Sequence, residues 1–382
     1  MRRKTSHWPS VPAWSPSPAP LVAQPSPTPS ATPAQAALAA VPTQRQPAGR
    51  GRDRWSRRPL GWWAGLGVAV TLLAGAAAPQ ALASAPTLAL SGSPVVVDTI
   101  PAGGFPFRVA VNPVTKRVYV GNVTSSVSVI DGDTHEIIKT ISAGGFAVAV
   151  NPVTNLVYAA SPGAGGVVSV INGVTNKVVY TIPVAGPSAV AVNPTTNRIY
   201  VTSTHTNSVT VIDGGTNTVT ATIPVGVDPW GVDVDPSTRR VYVANSGGNS
   251  VSVIDVDGDS NQVIATIPVG SAPRAVAVNE ATGRVYVANQ GTVSVIDGPS
   301  KTVTATIPVG STGWAVAVNP STRRVYVTDS SADSVSVIDS NFNTVTATVP
   351  VGDDPLGVAV NPTTNRVYVT NSNASSVSVI QD

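Results

Sequence analysis

Residues able to do acid–base, nucleophilic or metal chemistry are few in this 382-residue sequence. It contains no cysteine, which excludes thiol catalysis, disulfides and cysteine-ligated zinc. Beyond residue 83 the histidines are His135 and His205, and the glutamates are Glu136 and Glu280. These residues show no recognisable catalytic, haem-binding or copper-binding spacing, so we expect a protein that is not an enzyme and carries no redox cofactor.

Aromatic residues are concentrated at one position of a recurring segment. The segment ends in Val-Asn-Pro or a close variant, and the residue five places before its Asn or Asp differs from copy to copy. In chain order that residue is Phe107, Phe146, Ser188, Trp230, Arg274, Trp314 and Leu356. Flat amphipathic side chains and an arginine are suited to binding planar or apolar groups. The candidate ligand-binding residues are therefore Phe107, Phe146, Trp230, Arg274 and Trp314.

A short acidic loop offers a second kind of site. Asp255, Asp257 and Asp259 alternate around Gly258 and can present carboxylate oxygens to Ca²⁺, which takes six to eight oxygen ligands. The glycine is not where a calcium-binding EF-hand loop has it, and Thr266 stands in place of the closing glutamate. We therefore expect a solvated turn and no cofactor, with a calcium site as the alternative.

A repeat of about 42 residues must position these side chains. The Asn or Asp of the recurring segment is spaced by 39–44 residues, at Asn112, Asn151, Asn193, Asp235, Asn279, Asn319 and Asn361. One copy divides into four short runs, Val316–Val318, Arg324–Thr328, Ser334–Asp339 and Thr344–Gly352, the last of which alternates between apolar and polar residues. Seven such units predict an all-β, seven-bladed β-propeller over residues 94–382, with four antiparallel strands per blade.

The two ends of the repeat predict how the ring closes. The seventh unit stops after its third strand, at Gln381 and Asp382, and has no fourth. Ahead of the first unit, Val96–Gly103 aligns residue for residue on Val345–Gly352, which is a fourth strand. We therefore expect the N-terminal strand to complete the last blade and remove an open sheet edge.

The second strand of each unit carries a recognisable motif. It reads YVTN at Tyr368, YVTD at Tyr326, and YVAN at Tyr242 and Tyr286. This pattern resembles the YVTN-type β-propeller repeat family of bacterial and archaeal secreted and surface-layer proteins. The resemblance implies the propeller fold and often a cell-envelope location, but it implies no shared catalytic set.

Two kinds of residue recur in nearly every unit and are expected to be structural. One tyrosine per blade should pack between blades with its hydroxyl on a backbone group. An arginine five residues after the Asn and an acid at the end of the third strand, such as Arg198 and Asp213, should form cross-strand ion pairs.

The loops that carry the aromatic position gather around the mouth of the central channel in a propeller. We therefore expect a binding or scaffold module for a cell-wall glycan, a peptide or a protein, with a plug of packed aromatic side chains as the alternative interpretation. The alternative function is a metal-assisted lactonase or lyase at the axis. The residues expected at the mouth for that chemistry are Asp228, Asp233, Asp353, Asp354 and His205, without recognisable spacing. His135 is expected at the opposite end.

The first 83 residues differ from the rest in composition. Residues 1–60 are rich in Pro, Ser, Ala and Arg and are expected to be disordered. Residues 61–83 form an apolar run after a basic flank, which predicts a signal peptide cleaved before Ser84, or a membrane anchor if uncleaved. The folded part is then exported, to the periplasm, the cell surface or the exterior.

The charge of the chain divides in the same way. From Ser84 onward there are 14 basic and 19 acidic residues, a net charge of −5, although the whole chain has a net charge of +3. The folded part also lacks a basic run, so nucleic acid is not an expected partner. We expect a monomer that touches a membrane only through its N-terminal segment.

Overall fold

The computed structural model describes residues 92–162, 165–258 and 260–382, and these form seven four-stranded antiparallel sheets. The innermost strand of each sheet packs against the innermost strands of its two neighbours, which closes a ring around a central channel. The predicted all-β, seven-bladed propeller is confirmed. The predicted leader (1–60) and signal or anchor segment (61–83) lie outside the described residues. No helix in the described ranges is long and apolar enough to cross a membrane.

The strands follow the blades in chain order. The first strand and the first three blades are β1 (Val95–Pro101); β2 (Pro106–Asn112), β3 (Arg117–Asn122), β4 (Ser126–Asp131) and β5 (Ile137–Ser142); β6 (Ala147–Asn151), β7 (Leu156–Ser161), β8 (Val167–Asn172) and β9 (Lys177–Pro183); and β10 (Pro187–Asn193), β11 (Arg198–Ser203), β12 (Ser208–Asp213) and β13 (Thr218–Pro224). The remaining blades are β14 (Pro229–Asp235), β15 (Arg240–Asn245), β16 (Ser250–Asp255) and β17 (Gln262–Pro268); β18 (Ala275–Asn279), β19 (Arg284–Asn289), β20 (Thr292–Asp297) and β21 (Thr302–Pro308); β22 (Gly313–Asn319), β23 (Arg324–Asp329), β24 (Ser334–Asp339) and β25 (Thr344–Pro350); and β26 (Pro355–Asn361), β27 (Arg366–Asn371) and β28 (Ser376–Gln381).

Burial changes from the middle of each blade to its rim. The second and third strands, such as β11 and β12, are buried on both faces, and their Val, Ile and Tyr residues suit a pleated strand packed on both sides. The fourth strand, such as β13, is exposed along most of its length. At the end of most first strands the recurring Asn or Asp closes a tight turn: the Asn193 side-chain oxygen, for example, accepts hydrogen bonds from the N–H groups of Thr195 and Thr196. Asn279 is the exception, since its side-chain oxygen has no partner within the described residues.

The ring closes as predicted, between the two ends of the propeller. Strand β1 pairs antiparallel with β28, so the last sheet has the order β1-β28-β27-β26. Val95 lies opposite Gln381, and Pro101 lies opposite Ser376. This pairing covers the edge that β28 would otherwise expose to another chain.

The hydrophobic core lies between adjacent blades. One cluster contains Tyr200 and Val209 from the third blade together with Val232 and Val241 from the fourth. The repeated tyrosines are almost completely buried, in agreement with the packing role predicted for them. The hydroxyl of Tyr368 has the predicted backbone partner, the carbonyl oxygen of Gly132 at 3.4 Å in the next blade around the ring. The hydroxyls of Tyr119, Tyr158 and Tyr200 have no hydrogen-bond partner within the described residues, so this part of the prediction is wrong for them.

The repeated arginines form the predicted cross-strand ion pairs only in part. Arg117 lies 3.8 Å from Asp131, as expected. Elsewhere the guanidinium reaches the next blade: Arg240 donates to the Gly298 carbonyl at 2.9 Å, and Arg284 donates to the Ser340 carbonyl at 2.6 Å.

The aspartates at the ends of the third strands have a second role that also limits the ion pairs. Asp339, for example, accepts hydrogen bonds from the N–H groups of Asn341 and Phe342 and so closes its own turn. The repeated arginines therefore mainly join neighbouring blades, which spacing along one blade could not reveal.

Candidate functional site

The aromatic position lies where each loop from the previous blade enters an innermost strand. In β2, β14 and β26 the register with the second strand shifts at this position, so Phe107, Trp230 and Leu356 are extra, unpaired residues. A bulge of this kind turns a side chain away from the regular pleat. Ser188 occupies the same place in β10, and its hydroxyl bonds instead to the backbone oxygens of Thr202 and Pro229.

Side chains at this position meet at the axis in one cluster, which we call the aromatic cluster: Phe107, Phe146, Trp230, Trp314 and Leu356. The rings of Phe107 and Phe146 stack with centroids 4.4 Å apart. Trp314 lies edge-on to both Phe107 and Trp230, at 6.0 Å in each case. These distances and angles are those at which aromatic pairs attract each other. Five blades thus contribute to one structure across the channel.

Arg274 completes the cluster as a charged member. Its guanidinium carbon lies 3.9 Å from the centroid of the Trp314 ring, a close cation–π contact. Burial lowers the pKa of Arg274 from its ordinary value. All five candidates predicted from the sequence, Phe107, Phe146, Trp230, Arg274 and Trp314, are therefore brought together.

Burial within the cluster is uneven. Phe107 and Trp314 are 4% and 5% exposed, and Leu356 is 3% exposed. Phe146 and Trp230 are only partly buried. The packing matches the plug interpretation for the first three side chains, while the last two keep surface that a ligand can reach. Ligand binding by these residues stays a prediction.

Carboxylates surround the cluster on the loop side. The indole Nε1 of Trp230 donates to Asp228 at 3.2 Å, and the N–H of Asp228 donates to the side chain of Asn207. Across the ring, the N–H of Asp354 donates to the Asp333 carboxylate at 3.0 Å. Burial raises the pKa of Asp354 to about 6, and the nearby charges of Asp353 and Asp333 add to the rise. We call Asp228, Asp333, Asp353 and Asp354 the acidic rim.

The channel wall below the cluster carries two charged residues where other blades have small apolar ones. Four places before the recurring Asn, the first blade has Arg108 and the other blades have Ala or Gly. Two places before it, the fourth blade has Asp233 and the other blades have Ala. Both side chains line a cavity of about 480 Å³ to which all seven innermost strands contribute. Comparing the repeats column by column would have singled out Arg108, which attention to aromatic residues missed.

Asp233 is not at the mouth, where it was expected, because it lies beyond the bulge and its side chain points to the channel wall. Its carboxylate accepts hydrogen bonds from the N–H groups of Val234, at 2.9 Å, and Val278, at 2.8 Å. The second of these bonds joins the fourth blade to the fifth. Burial raises the pKa of Asp233 to about 6, and the two backbone hydrogen bonds oppose that rise.

The two histidines lie far from each other, as the loop positions predicted. His205 lies in a loop on the mouth side, against Gly186. His135 lies at the other end of the blade, where its Nδ1 is 2.7 Å from Asp98 in the closing strand β1. In the described ranges no three His, Cys, Asp or Glu side chains are grouped so that they could hold a metal ion.

The acidic loop after β16 is held by arginines. Asp257 forms an ion pair with Arg239, and its N–H donates to the Asp255 carboxylate at 3.0 Å. Arg198, from the preceding blade, donates to the Gly258 carbonyl at 2.9 Å. Asp259 lies outside the described residues. A calcium ion would compete with Arg239 for Asp257, and calcium binding by Asp255, Asp257 and Asp259 stays a prediction.

Comparison with known proteins supports the fold and leaves the activity open. The family model described as "Lactonase, 7-bladed beta-propeller" matches residues 175–297, less than half of the chain. A solved structure, Kuenenia stuttgartiensis hydrazine synthase, is 20% identical with a TM-score of 0.66, and the match covers 76% of this chain and 98% of that one. At that identity the likeness concerns the fold alone. No curated protein matches the chain. The YVTN-type resemblance stays an expectation.

Proposed function

We propose that this protein is a non-enzymatic binding module of the cell exterior, whose ligand rests on the loop side of the aromatic cluster. The observation that carries the proposal is the convergence of side chains that break the repeat. Bulges bring Phe107, Trp230 and Trp314 to the axis from separate blades, and Phe146 and Trp230 keep accessible surface. Residues needed only to hold the blades together would recur in every unit, as the tyrosines do.

The chemistry of the surface narrows the ligand. The partly exposed face of Trp230 offers an apolar contact, and its indole is oriented by Asp228. The acidic rim supplies acceptors on two sides of the ring, and acceptors favour a ligand rich in donors. A neutral glycan, with many hydroxyl groups, and a basic peptide segment of a protein both satisfy these requirements.

The salt dependence of binding separates these two ligands. The full-length protein would be applied to arrays of neutral glycans and of basic peptides, and each hit titrated by calorimetry at low and high salt. A basic peptide paired with the acidic rim loses affinity as salt screens the charges, whereas a neutral glycan does not. Trp230→Ala should weaken binding at least tenfold, because a central aromatic contact is worth about 1–3 kcal/mol or more.

Phe342 provides the matched control. It is an aromatic residue in the turn between β24 and β25, at the opposite end of the blade, and it is 77% exposed. Phe342→Ala should bind like the wild type. Equal affinities of the Trp230→Ala and Phe342→Ala variants for a confirmed ligand would contradict the proposed site.

The family-model match favours a second candidate, a lactonase acting at the axis. The matched residues 175–297 include Asp233, which faces the channel and has a pKa of about 6. A carboxylate titrating in that range can exchange a proton near neutral pH. Hydrolysis of a panel of lactones, with and without added divalent ions and with Asp233→Asn as the variant, tests this candidate. Turnover that Asp233→Asn abolishes would favour it over the binding module.

A further inference from the structure

A buried arginine in the channel has no partner for two of its donors. The Nε and Nη2 atoms of Arg108 are shielded from solvent, and within the described part of the chain they have no hydrogen-bond partner. Buried donors without acceptors destabilise a fold, and a charged donor does so most. The other six blades have Ala or Gly at this position, so the scaffold itself does not require an arginine.

The unpaired atoms lie on one edge of the guanidinium. Nε–H and Nη2–H point in nearly the same direction, and this pair of donors matches the two oxygens of a carboxylate in a planar, bidentate contact. The side chain borders the 480 Å³ cavity, which is within the range of small-molecule sites. Because Nε and Nη2 are shielded from solvent, a carboxylate in the cavity can pair with them only if the end of the side chain turns toward it.

The charges around the cavity select the charge of a ligand. Arg274 is close enough for its charge to lower the pKa of Arg108, which burial brings to about 10, so Arg108 stays protonated at neutral pH. No carboxylate contributes to that shift. Asp233 and Glu280 also line the cavity, from other blades, and they would repel a ligand with more than one negative charge. The remaining lining residues are mostly Val and Ala, but the surface that they present to the cavity is mostly polar, so recognition depends on the charged head of the ligand and not on a tail.

We propose that the central channel binds a small monocarboxylate, whose carboxylate pairs with Arg108. This site is inside the channel, next to Phe107 of the aromatic cluster, whose ring centroid lies 5.4 Å from the guanidinium carbon of Arg108, whereas the first ligand is proposed on the loop side of that cluster. Either proposal can fail without the other.

Calorimetric titration of the full-length protein with sodium acetate, butyrate, phosphate, sulfate and chloride tests the site. One equivalent of acetate or butyrate should bind. Arg108→Ala should reduce the affinity at least tenfold. Arg108→Lys should recover part of it, because lysine keeps the charge without the planar pair of donors. Arg323→Ala, which removes an exposed arginine outside the channel, is the control and should bind like the wild type.

A second readout follows the Arg108 side chain itself. The ¹⁵N–¹H signal of its Nε, assigned by its loss in Arg108→Lys, should move as butyrate is added. Arg108→Ala restores the residue type of the other blades and should fold, which circular dichroism verifies. Absence of carboxylate binding, carboxylate binding that Arg108→Ala leaves unchanged, or binding of phosphate, sulfate or chloride as tight as that of butyrate would each overturn the proposal.

Discussion

The buried carboxyl group of Asp233 in the channel wall should make the stability of the fold depend on pH. Burial is the main cause that raises the pKa of Asp233 to about 6, from an ordinary value near 3.9. Because the folded state holds this proton more tightly than the unfolded state, protonation of Asp233 stabilises the fold. That stabilisation is fully present below about pH 4 and is lost as the pH rises through 6.

The size of the effect follows from the shift in pKa. Two pKa units correspond to about 3 kcal/mol, of which about 2 kcal/mol should be lost between pH 4 and pH 7. Asp233→Ala places the residue of the other six blades at this position and removes the proton-binding group. The free energy of unfolding of the wild type should therefore fall, relative to that of the variant, by about 2 kcal/mol over this range.

Urea unfolding followed by circular dichroism at several pH values between about 4 and 7 measures this difference. Phe342→Ala, which removes an exposed side chain that carries no ionisable group, is the control, and its stability curve should run parallel to that of the wild type. A curve for Asp233→Ala that also runs parallel to the wild type would refute the buried position of Asp233 in the channel wall.

Three further predictions concern the ring and the aromatic cluster. Deletion of residues 94–103 removes β1 and exposes the edge of β28, so the variant should oligomerise or lose its cooperative unfolding. A variant that is monomeric in size-exclusion chromatography and still unfolds cooperatively would be inconsistent with ring closure. Trp314→Ala should lower the free energy of unfolding by about 3–5 kcal/mol, because Trp314 is 5% exposed. A decrease of less than about 0.5 kcal/mol would mean that Trp314 does not pack at the axis. Asp98→Ala should lose less stability than the wild type as the pH falls into the acid range. The hydrogen bond with His135 lowers the pKa of Asp98, so the ionised carboxylate stabilises the wild type until the pH falls through that lowered pKa. Equal acid unfolding profiles of the wild type and Asp98→Ala would contradict that contact.

The sequence was sufficient to predict the fold because the repeat supplies the same local information seven times. Spacing gave the blade number, and the alignment of Val96–Gly103 on Val345–Gly352 gave the closing strand. Contacts between blades were harder to predict. The hydrogen bond from Arg240 to Gly298 joins residues 58 positions apart, and only the geometry of the ring brings them together.

The sequence was sufficient to predict which residues form the candidate site, but not how deeply each of them is buried. A column of aromatic residues is visible in the sequence, whereas the bulges that turn Phe107 and Trp230 to the axis depend on backbone register. The contact between Asp98 and His135 joins the closing strand to the first blade, which the spacing of the repeats could not reveal. Arg108 was recognisable as an exception to its column, but the lack of partners for its donors appears only in three dimensions.

The central claim is that a ligand contacts the exposed side of the aromatic cluster. The indole N–H of Trp230, which donates to Asp228, reports on that surface directly. We would follow the ¹⁵N–¹H indole signals of the full-length protein, assign that of Trp230 by its loss in Trp230→Phe, and titrate the glycan or peptide identified on the arrays. If the ligand lies on this surface, the Trp230 signal should shift saturably at the calorimetric affinity. Saturable binding that leaves the Trp230 signal unmoved would contradict the proposed site.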